Sequence, residues 1–317
     1  MYNVVMEKDI VYVIGHKCPD TDSVTSAVAY AKLLNMLGHK AKAVMAGKAN
    51  NETKFSFDYL GLELPDIIED ATGKKLILVD HSEYAHALNG TKEAEIIKII
   101  DHHIPGDIAK ERKNDDILRH TGACATLIYE EYCKQGITID KETAGILLTG
   151  IISDTNDLKR IVTDDDKKAY KKLKKIADIK DLEGYCQKMY EAFLSYDGMD
   201  DEEIFMNDYK EYARAGRTFA LSCVRAKGKK EALDLLERMY KVMTDQYEKL
   251  GMDILITKVH DVRNGGMYLK TYKDDALKLL KDCLYDDSDS GYIYKEKNLS
   301  RKKELVPLIY KELDKAK

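Results

Sequence analysis

The sequence predicts an α/β protein of two domains: an open, mainly parallel sheet with helices on both faces, then a smaller α/β unit. Three observations carry this reading. Short apolar runs alternate with helical periodicity from residue 10 to about residue 193, the order of a parallel sheet with crossover helices. The runs stop abruptly at glycine, aspartate or histidine, and such sheets hold their ligands at the carboxyl ends of their strands. Near Ser195–Gly198 the pattern breaks and resumes in a different order.

Ile10–Ile14 (IVYVI) reads as a buried strand ending at Gly15, and the periodicity predicts a helix over Ser23–Leu37 with Asp22 or Ser23 placed to cap it. Lys42–Met45 is a weaker strand, and Asn51–Leu60 a helix. Leu76–Val79 (LILV) and Ile96–Ile100 (IIKII) repeat the strand pattern. Helices are predicted near Ala123–Lys134, Lys141–Ile152, Asp164–Ile176 and Leu182–Phe193, and the lysine-rich 167–175 stretch is a solvated helix face. In the second part, strands at Phe219–Val224 and Ile254–Val259 flank a long helix over Lys229–Leu250. Met267–Tyr272 reads as a third strand and Asp274–Leu284 as another helix. The domains are thus set at residues 1–194 and 198–317, and a chain of 317 residues is long enough for two cores.

Composition narrows the function classes. Hydrophobic residues at 44% and charged residues at 34% suit a soluble globular chain. No run approaches the roughly 18–20 apolar residues of a membrane span, so no membrane partner is expected. Met1–Lys8 lacks the basic-then-apolar order of a signal peptide, which points to the cytoplasm. Six scattered cysteines without a CxxC pair suit a reducing compartment. A net charge of −5 argues against a nucleic-acid partner, while a local basic cluster can still hold a small phosphate.

The chemistry gathers where the apolar runs end. His16, Asp20 and Asp22 follow the first, Asp80 the second, Asp101-His102-His103 the third, and Ser153-Asp154-Thr155 the helical run 144–152. In a parallel sheet these ends open on one edge, where His16, Asp20, Asp22, Asp80, His102 and Asp154 can converge. Two imidazoles with four carboxylates form a mixed nitrogen and oxygen set, which favours manganese or cobalt over an all-oxygen magnesium cage. Six ligands exceed what one catalytic ion with open positions takes; two ions sharing a carboxylate fit better.

GHKCPDTDS, VDH, DHH and SDT in this order resemble the DHH phosphoesterases, and the first motif is similar to that of the manganese-dependent, family II inorganic pyrophosphatases. Ser300-Arg301-Lys302-Lys303 resembles that family's SRKK signature, and Asp208-Tyr209-Lys210 another of its elements. The resemblance implies a DHH domain followed by a smaller DHH-associated domain, with the site in the cleft between them. One manganese ion is then held by His16, Asp20 and Asp80, and a second by Asp22, Asp80, His102 and Asp154. A further magnesium or manganese ion arrives with the substrate, and cobalt can replace manganese. His103, Lys210, Ser300, Arg301 and Lys302 bind the phosphates. A hydroxide between the ions attacks pyrophosphate, and Arg301, Lys302 and a protonated His103 offset the leaving charge. A homodimer is implied as well.

The chain departs from the family pattern in places. His86 stands near a glutamine position, as an added ligand or a surface histidine. Ile104 follows DHH where arginine is common, and Lys159-Arg160-Ile161-Val162 replaces a Lys-Ser-Pro-Thr run. These changes bear on substrate contacts and rate, and leave the metal ligands in place. Among rival readings, exopolyphosphatases share the second domain type. Nuclease and phosphodiesterase relatives carry a GGH-type motif where this chain has only Asn264-Gly265-Gly266-Met267. A silent phosphate or metal sensor would tolerate a lost ligand, and none is lost.

Overall fold

A computed structural model describes residues 10–112 and 115–315; Met1–Lys8, on which the signal-peptide reading rests, lies outside them. The chain divides into two compact units between Ser195 and Tyr196.

The first unit contains β1 (Val11–Ile14), α1 (Thr21–Met36), β2 (Ala41–Met45), α2 (Asn51–Leu60), β3 (Asp66–Ile67), β4 (Lys75–Val79) and β5 (Glu95–Asp101). It continues through α3 (Asp107–Lys110), β6 (Ile117–Leu118), α4 (Cys124–Lys134), α5 (Lys141–Thr155), α6 (Asp164–Ala177) and α7 (Leu182–Phe193). The sheet order is β3-β2-β1-β4-β5-β6, and every neighbouring pair is parallel. The chain leaves β1 in one direction and returns at β4 to build the other half. The segments that follow β1 and β4 therefore flank the switch point, where an open parallel sheet presents a crevice.

Alternation along the strands separates two cores. Val13, Ile77, Val79 and Ile100 pack with Ala27, Leu127, Leu147 and Ile151 of the long helices. Tyr12, Ile14, Leu76, Leu78 and Ile99 pack on the other face with Ala87, Leu88, Ile108 and Ala109.

Two boundaries differ from expectation. Helix α1 is capped by Asp20, whose side chain accepts from the Ser23 amide, not by Asp22 or Ser23. Pro19 and an extended Asp20 start the helix at least two residues earlier, which places Asp22 inside the first turn. Helix α5 continues to Thr155, so Asp154 sits in its last turn rather than beyond it.

The second unit contains α8 (Asp201–Asn207), β7 (Tyr209–Arg214), β8 (Arg217–Ala226), α9 (Lys229–Leu250), β9 (Ile254–Asp261), β10 (Met267–Thr271), α10 (Asp274–Leu284), β11 (Ile293–Lys295) and α11 (Val306–Lys315). A π-helical turn over Arg301–Leu305 leads into α11. The sheet order is β11-β10-β9-β8-β7. Its one parallel pair among the described strands, β8 with β9, is joined by the crossover helix α9. Phe219, Leu221, Ile254 and Ile256 face α10 and α11 through Leu280 and Ile309. Ala220, Val224, Leu255 and Val259 face α9 through Leu236 and Met239. Among the described residues no helix is long and apolar enough to cross a membrane.

Candidate metal centre

The site of the first unit is assembled by strand ends and helix ends. Gly15 closes β1, and a Cβ there would lie 1.7 Å from Ser23 Oγ, so only glycine lets the chain turn against α1. Ser23 Oγ in turn accepts from the His16 amide. His16 Nδ1 lies 2.7 Å from the Lys17 carbonyl and His102 Nδ1 3.0 Å from that of Thr121. A carbonyl can only accept, so both rings carry a proton on Nδ1 and aim Nε2 into the cluster.

Asp80 is the centre of this arrangement. It follows β4 with φ +63°, a left-handed conformation that costs a non-glycine residue about 1–3 kcal/mol. One carboxylate oxygen lies 3.4 Å from His16 Nε2 and the other 3.1 Å from His102 Nε2. His16 Nε2 also stands 3.4 Å from Asp20, and His102 Nε2 3.3 Å from Asp154. Two groups of ligand atoms result, each within 4.8 Å: His16, Asp20 and Asp80, and Asp22, Asp80, His102 and Asp154. Asp80 belongs to both. It also belongs to a third group with His102 and His103.

Asp22 is fully buried, and its carboxylate accepts from the Cys124 and Ala125 amides at the start of α4, at 2.6 and 3.0 Å. A helix N-terminus stabilises the negative charge and fixes its direction. His103 is held otherwise. Its Nδ1 and its amide both donate to Asp101, at 3.0 and 3.1 Å, while Ser82 Oγ donates to the second Asp101 oxygen. The aspartate of the DHH motif thus orients His103 and joins none of the three groups.

Proton affinities record a concentration of negative charge. Burial opposes it, but Asp20 and Asp80 together push His16 up to about 12. His102 rises to about 10 against burial, because of Asp80 and Asp22. The same two imidazoles hold Asp80 well below the usual carboxylate range despite its burial. Burial first, then the charges of Asp80 and Asp20, lift Asp22 to about 7. Asp154 is raised by burial and by Asp22, Asp20 and Asp80. The hydrogen bond to Asp101 raises His103.

Manganese fits these residues. Asp80 Oδ1 and His102 Nε2 are buried atoms without hydrogen-bond partners, since their 3.1 Å approach is not aligned for one. Buried polar atoms left without a partner are rare, and two that converge with imidazole and carboxylate donors suit a transition metal.

Sequence reasoning passed over Glu52 and Gly150. Glu52 is buried on α2 and accepts from Thr21 Oγ1 and Ser153 Oγ, both at 2.7 Å, tying together the segments that carry Asp20, Asp22 and Asp154. A Cβ at Gly150 would meet Asp22 Oδ1 at 2.7 Å, so α5 needs glycine there. His86 joins no ligand group; its side chain is 61% exposed beside Glu83, and its carbonyl accepts from the Lys17 amide. Ile104 and Ile161 are exposed.

The second unit carries the remaining candidates. Lys210 is exposed on β7, Ser300 caps the turn that follows it, and Lys302 is exposed on that turn. Arg301 donates to the Asp208 carbonyl and pairs with its carboxylate, both at 2.8 Å.

Comparison with known proteins agrees with this order of motifs. Residues 10–151 match the DHH family, N-terminal domain, and residues 187–311 match the DHHA2 domain. The chain is 34% identical over 302 residues to the manganese-dependent inorganic pyrophosphatase of Methanothrix thermoacetophila, covering 94% of this chain and 97% of the relative. It is 32% identical over 321 residues to a protein of Archaeoglobus fulgidus named a probable manganese-dependent inorganic pyrophosphatase, covering 95% and 98%. The crystal structure of a Methanococcus jannaschii protein assigned to the family II inorganic pyrophosphatases superposes with a TM-score of 0.70 at 30% identity, over 96% of this chain and 99% of the other.

Proposed function

From the premise that the chain belongs to the manganese-dependent, family II inorganic pyrophosphatases of the DHH family, we propose that it hydrolyses pyrophosphate to two orthophosphates at the Asp80 centre. The observation that carries this reading is the pair of ligand groups sharing Asp80. Two manganese ions are the proposed complement, one on His16, Asp20 and Asp80, the other on Asp22, Asp80, His102 and Asp154. Four carboxylates in these groups match the charge of two divalent ions. When bound, manganese supplies Lewis acidity, bringing the pKa of water toward neutrality and offsetting phosphate charge.

The chain's own residues do the rest. His16 and His102 keep their protons on Nδ1, bonded to carbonyls, so their Nε2 atoms stay available. Asp101 and Ser82 hold His103 in one orientation, and its raised proton affinity suits it to carry a proton on Nε2 for the bridging oxygen as the phosphorus–oxygen bond breaks. Lys210, Ser300, Arg301 and Lys302 bind the phosphate oxygens. The guanidinium of Arg301, preset by Asp208, offers a planar fork, and the lysines offer compact charge. A homodimer and a cytoplasmic site of action complete the proposal, on the family resemblance and on the sequence respectively.

The test is phosphate release from pyrophosphate, tripolyphosphate and a dinucleotide, in manganese, cobalt or magnesium and after chelation. Fast release from pyrophosphate that requires the metal and falls by about 10³-fold or more in Asp80→Ala is expected, the scale set by removing a central catalytic group. Faster release from the dinucleotide transfers the function to the phosphodiesterase relatives. No release from any of them, with manganese bound, leaves a sensor.

A further inference from the structure

The face of the second sheet that packs on α10 and α11 changes character along its strands. Phe219 and Leu221 on β8, and Ile254 and Ile256 on β9, are buried in the apolar core. With the two-residue period, the next positions on the same face are Cys223 and Arg225, then Lys258 and His260. Cys223 pairs in register with Lys258, and Arg225 with His260, so Arg225, Lys258 and His260 lie side by side at the carboxyl end of the parallel pair. Lys210 of β7, beside Leu221, belongs to this face as well.

Lys258 is 6% exposed and has no carboxylate partner among the described residues. Its Nζ donates to the Asn298 side chain at 3.0 Å and to the Leu299 carbonyl at 2.9 Å, leaving one of three N–H groups for something else. These contacts also hold the segment that leads into Arg301. Burial, and beyond it the charges of Arg301 and Arg225, pull Lys258 below the ordinary lysine range; burial, Lys258 and Arg225 do the same to His260. The nearby carboxylate of Asp208 is engaged by Arg301, and that of Asp261 by the Arg263 and Asn264 amides. A buried cation without an anion is costly, so Lys258 is best satisfied by an anionic ligand.

We infer that Arg225, Lys258 and His260 extend the phosphate site of Arg301 into a subsite for a third phosphate, so that the second unit takes a triphosphate group. Two residues of strand separate Lys258 from His260, about 6–7 Å, more than one phosphate spans when Arg301 is already engaged. The inference rests on the pyrophosphatase reading for the role of Arg301. Inorganic tripolyphosphate and the triphosphate of a nucleotide share this chemistry.

The experiment reads binding apart from turnover. Full-length protein in chelator is titrated with pyrophosphate, tripolyphosphate and ATP, following the rise in Tm. The wild type, Arg225→Gln/His260→Gln, Lys258→Met and a charge control, Lys278→Gln/Lys311→Gln, are compared. Tripolyphosphate is expected to bind tighter than pyrophosphate, and the Arg225/His260 variant to weaken tripolyphosphate at least about tenfold more than pyrophosphate. Lys258→Met is expected to act in the same direction. ATP losing affinity in parallel identifies a nucleotide as an accepted source of the group; ATP failing to bind restricts it to the inorganic chain. Equal weakening by the charge control, or an unchanged preference in the Arg225/His260 variant, overturns the subsite. Phosphate release from pyrophosphate by the wild type in manganese is measured alongside. Its absence would count against the pyrophosphatase reading without touching the binding result.

Discussion

Asp80 faces two imidazoles with different oxygens, at 3.4 and 3.1 Å, and the consequences appear as proton linkage. In the metal-free protein His102 is pushed up to about 10 and His16 to about 12, from 6.5 in the unfolded chain. Their pairing therefore stabilises the fold fully below about pH 6.5 and is lost as pH rises toward 10 and beyond. Asp22, lifted to about 7 from 3.8, acts in the same sense, because between those values the folded state holds the extra proton and stability falls as pH rises. Manganese held by the proposed ligands has to displace these protons, so the stabilisation it confers is expected to grow with pH. Scanning fluorimetry in phosphate-free buffers is expected to show a metal-induced rise in Tm that increases from about pH 6 to about pH 9. A rise that is flat or shrinks over that range would show that the histidines do not ligate. Asp80, His16 and His102 were legible because each ends an apolar run. Glu52 was not, because its function consists of contacts with Thr21 and Ser153, 31 and 101 residues away.

At the scale of elements, the site depends on how closely α1, α4 and α5 approach. Asp22 of α1 receives the α4 amides, and Gly150 of α5 leaves room for that carboxylate. In Gly150→Ala the new methyl would meet Thr25 Oγ1 at 2.6 Å, Asp22 Oδ1 at 2.7 Å and Ala125 Cβ at 2.8 Å. Overpacking of this kind costs about 1–3 kcal/mol. It also displaces Asp22, for which a loss of about 10–100-fold in manganese affinity is expected. Urea unfolding in chelator reads the first effect, and a manganese titration the second. A variant as stable and as tight as the wild type would show that the three helices are slack here. Strands β1, β4 and β5 were legible from apolar runs of four or more residues. The two-residue strands β3 and β6 are too short to carry a period, and the edge strand β7 is too exposed to show alternation. Helix α8 had a signal that went unused: Asp200 and Glu203 form a reciprocal capping box. In ILITKVHD, Lys258 and His260 occupy core-facing positions of an apolar strand, a signal visible only once the parity of β9 is known.

At the scale of the molecule, every residue of the three ligand groups belongs to the first unit, whereas Lys210, Ser300, Arg301 and Lys302 belong to the second. On the roles proposed for these residues, the two units answer to different ligands. Manganese alone should order the strand and helix ends that carry its ligands, because binding energy at a site becomes protection against local opening of the segments that build it. Hydrogen exchange read by mass spectrometry, with and without manganese and in the absence of phosphate, is expected to show new protection in peptides around residues 16–26, 80–84, 101–106, 121–127 and 149–157. Peptides of β8, β9 and the Arg301–Leu305 turn should exchange at unchanged rates until a condensed phosphate is added. Equal protection of both units by manganese alone would mean that the second unit supplies a metal ligand, and the division of labour proposed between Asp80 and Arg301 would fail.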